Sequence, residues 1–119
     1  FKLKVMIEIY HNPRCRKSRA GLQYLRDNDY QFRVIEYLKE PLDSNSFGKL
    51  LRKLGKRPTE MIRTNESIFK SNYKGKEFSD DQWIKIMVEN PKLIKRPIVV
   101  KDDEAIWADP SDLLMSFLD

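Results

Sequence analysis

This chain has one cysteine, Cys15, and one histidine, His11. A lone cysteine closes no intramolecular disulfide, which excludes a disulfide framework and, with so few nitrogen and sulfur ligands, a structural zinc cluster. Any redox work must therefore use a second thiol from outside. Glycine is scarce as well, and residues 21, 48, 55 and 75 cannot be arranged into the G-x-x-x-x-G-K-[ST] loop that cradles nucleotide phosphates. No run approaches the ~20 consecutive apolar residues that span a bilayer, and the N-terminus lacks the apolar stretch and small-residue cleavage site of a signal peptide. The expectation is a cytoplasmic protein with no membrane partner. Although the net charge of +5 favours anionic partners, no block of five or six like charges marks a nucleic-acid arm, so no nucleic-acid partner is expected.

What is present suffices for a folded domain. The 119 residues are 40% hydrophobic and 34% charged, enough apolar material for a core beneath a well-solvated surface. That length suits one domain, residues 1–119. Met6-Ile7-Glu8-Ile9-Tyr10 alternates apolar and polar side chains, so Val5 to Tyr10 reads as a strand. His11-Asn12-Pro13-Arg14 breaks it, because Asn-Pro favours a turn and proline donates nothing to a ladder. Good helix formers run from Arg16 to Asn28, with Gly21 as the one weak position. Phe32 to Tyr37 reads as a second strand, parallel to the first through the helical crossover.

A helical stretch of about residues 43–93 follows, expected to be an insertion packed on the same core. In it Asp43 or Ser44 caps a helix whose Phe47, Leu50, Leu51 and Leu54 form one apolar stripe, ended by Gly55. Pro58 to Ile62 and Ser67 to Lys70 are short helical candidates, and Ser79-Asp80-Asp81-Gln82 is a capping box before Trp83, Ile86 and Met87. Ile98 to Lys101 and Ala105 to Ala108 form an antiparallel pair across an acidic turn. Asp109-Pro110-Ser111-Asp112 supplies a cap residue, a first-turn proline and first-turn negative charge for a last helix carrying Leu113, Leu114, Phe117 and Leu118. The fold class is α/β: a mixed sheet of about four strands, βαβ then ββα, with a helical insertion. Trp83 and Trp107 fit their local apolar patterns and read as packing residues.

Chemistry concentrates at Cys15. A cysteine between a strand end and a helix start has its sulfur facing unpaired backbone N–H groups and the positive end of the helix dipole, and both favour the thiolate. Arg14, Arg16, Lys17 and Arg19 surround it in sequence, poor core material but apt for attracting an oxyanion. A phosphatase-type loop would place an arginine six positions after the cysteine, where this chain has Gly21. A two-cysteine redox motif would need a thiol at Ser18.

The run Ile9-Tyr10-His11-Asn12-Pro13-Arg14-Cys15-Arg16-Lys17-Ser18, with Arg63 before Thr64-Asn65-Glu66 and with Lys95-Arg96-Pro97-Ile98-Val99-Val100, resembles the glutaredoxin-coupled arsenate reductase (ArsC-like) family of the thioredoxin-like superfamily. The resemblance spans nearly all of the chain from Met6; Phe1 to Val5 precede it and are given no function. It implies a thioredoxin-like three-layer fold and Cys15 as catalytic nucleophile. It further implies that Arg63 and Arg96 bind the substrate anion and that the Arg96–Pro97 bond is cis. His11, Asn12, Ser18 and Pro97 take supporting positions, with the Ser18 hydroxyl donating to sulfur and His11 tuning its charge. The implied reaction is reduction of arsenate, or a related oxyanion, through a Cys15 adduct. Glutathione or another external thiol is the reductant, glutaredoxin the partner, and neither metal nor bound cofactor is implied.

One position departs from the family pattern. Its third anion-binding arginine precedes Pro-Ser, and this chain has Asp109 there. The Asp-Pro-x-Asp pattern predicts that Asp109 caps its own helix; turned inward, its carboxylate would repel an anion and raise the thiol pKa. Two rival functions follow from the resemblance and this departure: a non-enzymatic regulator like the Spx proteins that bind RNA polymerase, and a glutathione-dependent thiol transferase.

Overall fold

The computed structural model describes residues 5–119; of the N-terminal stretch given no function, residues 1–4 lie outside the described residues. The chain divides into two compact units, one formed by the residues up to Glu40 together with Arg96–Asp119, the other by Pro41–Lys95.

The first unit contains strand β1 (Ile7–Tyr10), helix α1 (Arg16–Asp27), strand β2 (Arg33–Ile35), strands β3 (Ile98–Lys101) and β4 (Glu104–Trp107), and helix α5 (Leu113–Leu118). Its four strands form one mixed sheet in the order β2-β1-β3-β4, with β1 parallel to β2 and antiparallel to β3. The mixed four-stranded sheet, βαβ then ββα along the chain, is the α/β class expected from the sequence, and the fold is thioredoxin-like as the resemblance implies. Alternation works as the pattern requires: Ile7 and Ile9 of β1 and Val99 of β3 bury with Leu22 and Leu25 of α1 and with Leu114 and Leu118 of α5. Ile9, Leu25 and Leu114 are fully enclosed, and each such side chain contributes roughly 1.5–3 kcal/mol relative to exposure. Glu8 lies opposite Arg33 across the parallel pair and meets its guanidinium at 3.5 Å.

Strand β2 is shorter than the apolar pattern suggests. Beyond Ile35 the Glu36 carbonyl accepts N–H bonds from Lys39 and Glu40, so a turn replaces the ladder. The β3–β4 hairpin turns at Asp102, whose positive φ of 55° an aspartate tolerates better than most residues.

The last helix corrects the sequence expectation. It begins at Leu113 behind Asp112, after a set of turns in which Leu113, Leu114 and Met115 donate to the carbonyls three residues earlier. Asp109 lies outside the helix and caps nothing there. Its carboxylate pairs instead with Lys17 at 2.9 Å, a partner on α1 that no local pattern announces.

The second unit follows its local signals closely. Asp43 caps helix α2 (Ser44–Leu54) by accepting the Ser46 N–H at 2.7 Å, and Gly55 ends it in the left-handed region at φ 66°. A 3₁₀ turn at Pro58–Met61 leads to helix α3 (Ser67–Asn72), and a full capping box between Ser79 and Gln82 opens helix α4 (Asp80–Glu89). Trp83 is buried among Phe69, Tyr73 and Phe78, its ring centroid 4.9 Å from that of Phe78, which bears out its reading as a packing residue. No helix among the described residues is long and apolar enough to cross a membrane.

Candidate active site at Cys15

The loop after β1 is fixed by its own side chains. His11 N–H donates to the Ile35 carbonyl and thereby extends the β1–β2 contact by one bond. Asn12 then folds the chain: its Oδ1 accepts the Arg14 N–H at 3.0 Å, and its carbonyl accepts the Cys15 N–H at 3.0 Å. Behind the loop Ser18, with no exposed surface, takes the Asn12 N–H on its hydroxyl oxygen at 2.9 Å and stands 2.7 Å from His11 Nδ1. The three buried polar residues of this loop thus satisfy one another. Burial lowers the His11 pKa below the ordinary histidine value; the Glu36 charge opposes that shift and the Arg26 charge reinforces it. The lowered pKa favours the neutral imidazole, whose Nδ1 is hydrogen-bonded to Ser18 Oγ.

Cys15 is the N-cap of α1, with extended backbone (φ −95°, ψ 121°), and is partly buried. Burial of the sulfur opposes ionisation, but a hydrogen bond from the Arg96 side chain and others from the backbone N–H groups of Ser18 and Lys17 outweigh it. The Arg96 charge adds to them, and the thiol pKa falls below its ordinary value. A capping oxygen would normally take the amides of the first helical turn. Cys15 makes no such side-chain cap bond; the amides of Lys17 and Ser18 instead favour its thiolate.

Arg96 is presented by a cis Arg96–Pro97 bond, as the resemblance implies. Its carbonyl accepts the Trp107 indole N–H at 3.2 Å, and the Pro97 carbonyl accepts the Ala108 N–H at 3.0 Å. Pro97 is buried directly against α1: a Cβ built on Gly21 would lie 2.9 Å from Pro97 Cγ. The glycine that weakens the helix in sequence is where helix and proline loop approach most closely.

Cys15, Arg96, His11, Asn12, Ser18 and Pro97 therefore gather in the first unit. Arg63 belongs to the second, where its N–H donates to the Leu93 carbonyl and its guanidinium bonds Glu66 at 2.6 Å. One expected detail differs: the Ser18 hydroxyl bonds His11 and Asn12, and it is the Ser18 backbone amide that favours the thiolate. Of the flanking cations, Arg19 donates to the Pro13 carbonyl, and Lys17 holds Asp109. Sequence reasoning missed the Lys17–Asp109 pair and the Gly21–Pro97 approach. Only the small residue inside an otherwise strong helix signalled the second.

The ArsC family model matches residues 10–113. The uncharacterized protein YfgD of Escherichia coli (strain K12) is 37% identical over 114 residues, covering 94% of this chain and 96% of that protein. An arsenate reductase of Acidiphilium multivorum is 34% identical over 113 residues, covering 94% of this chain and 80% of its own. Among solved structures, an arsenate reductase from Vibrio cholerae superposes with a TM-score of 0.88 at 34% identity, covering 94% of this chain and 97% of that one.

Proposed function

The chain belongs to the ArsC family, and on that premise we propose that it is a thiol-dependent arsenate reductase with Cys15 as nucleophile. The observation that carries this reading is Cys15 at the N-cap of α1, its thiolate favoured by the Arg96 side chain and the Lys17 and Ser18 amides. The same donors that favour a thiolate suit the oxygens of a bound oxyanion, so attacker and target share one cradle.

The thiolate attacks arsenic(V), an S–As bond forms, and one arsenate oxygen departs as water after protonation. An external thiolate, for which glutathione is the proposed donor, then attacks the Cys15 sulfur. The S–As electron pair passes to arsenic, releasing arsenite and leaving a mixed disulfide on Cys15. Two thiols have then supplied two electrons. As the chain has no second cysteine, glutaredoxin or a like thiol clears that disulfide by exchange. Arg96 neutralises the anion and stabilises its developing charge. His11, Asn12, Ser18 and Pro97 hold the loop and the arginine in place.

The test is arsenate-dependent NADPH oxidation with glutathione, glutaredoxin and glutathione reductase, comparing the native chain with Cys15→Ser. Turnover that vanishes in the variant supports the reading. A native chain that reduces a glutathione mixed disulfide but leaves arsenate untouched would replace it with the thiol-transferase reading, and capture of RNA polymerase without turnover of either would replace it with the regulator.

A further inference from the structure

The contacts at Cys15 close into a ring. The Lys17 backbone N–H favours the Cys15 thiolate, while its ammonium group lies 2.9 Å from the Asp109 carboxylate. Asp109 follows Ala108, whose N–H holds the Pro97 carbonyl at 3.0 Å, and Arg96 returns from Pro97 to the sulfur. The carboxylate belongs to this ring and faces inward: its side chain is 18% exposed against 64% for Lys17. A negative charge thus pairs with the second residue of α1, two positions past Cys15.

We propose that Asp109 is a specificity-determining residue of this site. Through its ion pair with Lys17 it limits the positive charge offered to an oxyanion at Cys15, so the site discriminates less strongly in favour of doubly charged over singly charged tetrahedral anions. The inference rests on Cys15 as the seat of an oxyanion substrate and adds how strongly its charge state is discriminated. The fixed charges concerned are Arg96 facing the sulfur and Lys17 facing Asp109; Arg14 and Arg16 are exposed beside them. Coulomb energy is proportional to the charge on the anion, so any change at Asp109 acts on the logarithm of affinity twice as strongly for a dianion as for a monoanion.

Two probes of the same tetrahedral shape separate these cases: sulfate, doubly charged, and perchlorate, singly charged. Each is titrated as a protectant of Cys15 against iodoacetamide, alongside the pH profile of alkylation without anion. In Asp109→Asn, Lys17 is released, and the protection midpoint should fall roughly threefold for perchlorate and roughly tenfold for sulfate. In Lys17→Met the carboxylate is left unneutralised. Both midpoints should rise, sulfate's more, and the alkylation profile should move to higher pH while that of Asp109→Asn moves lower. Both substitutions break the ion pair, so a merely mechanical tie predicts shifts in the same direction. Shifts in one direction, or equal shifts for the two anions, would overturn the proposal. Neither readout uses turnover: the pattern can hold in a chain that fails to reduce arsenate, and that result would remove the reductase reading alone.

Discussion

Helices α2 and α4 begin with a side-chain oxygen that accepts a first-turn amide, whereas α1 begins with a cysteine that makes no cap bond. Asp43 and Ser79 supply that oxygen and thereby fix where α2 and α4 start. At α1 the capping position holds Cys15, which makes no side-chain cap bond and whose thiolate is favoured by the Lys17 and Ser18 amides and by Arg96. An oxygen cap lends its energy to the helix. A sulfur that is weakly satisfied as a thiol and strongly as a thiolate directs that energy into ionisation, so the α1 start gives up some stability for reactivity.

The comparison is broken most completely by Cys15→Ser. Serine is itself a good cap, so arsenate turnover should fall to background while the melting temperature is kept or raised, as coupled NADPH oxidation and thermal denaturation would show. Next comes Arg96→Met, which removes the one side-chain donor to sulfur. Its kcat/KM should drop by about 10²–10³, the range for losing an oxyanion donor, and the pH midpoint of Cys15 alkylation should rise. Ser79→Ala reverses the pattern: about 1 kcal/mol of stability lost in urea denaturation, with arsenate KM and alkylation unchanged.

The pH dependence of stability sharpens the contrast further. Cys15 has a lowered folded pKa, so its contribution is absent below that folded value, grows as pH rises toward the ordinary thiol pKa, and is full above it. The native chain should therefore gain stability relative to Cys15→Ser across that alkaline interval. His11 also has a folded pKa below its unfolded value of 6.5, so the fold keeps it neutral and loses stability as pH falls through 6.5. His11→Asn should lose less stability than the native chain between pH 7 and 5. The smallest effect belongs to Gly21→Ala. Helix propensity alone promises a gain of up to about 1 kcal/mol, and the 2.9 Å approach to Pro97 should cancel it in the measured melting temperature.

Legibility in the sequence follows the range of the interaction. The β1 pattern, the Asn-Pro break, the α1 composition and the capping box at Ser79 each lie within a few residues, and each forms where the string places it. Cys15 was legible for the same reason, since strand, break and helix are contiguous. Arg96 was reached only through the resemblance of its segment. The local rule misled at Asp109, where Asp-Pro-x-Asp spells a helix start but the carboxylate is taken by Lys17 across the fold. At Ser18 the error was one of direction, because the sequence places a hydroxyl near a thiol but cannot show that buried His11 and Asn12 claim it first.

The hydrogen bond from the Trp107 indole to the Arg96 carbonyl turns an intrinsic fluorophore into a reporter of the anion-binding arm. The other tryptophan, Trp83, sits in an aromatic cluster of the second unit. With Trp83 replaced by phenylalanine, the emission of Trp107 alone would follow the Arg96 backbone, and a stopped-flow trace could time oxyanion arrival without a label.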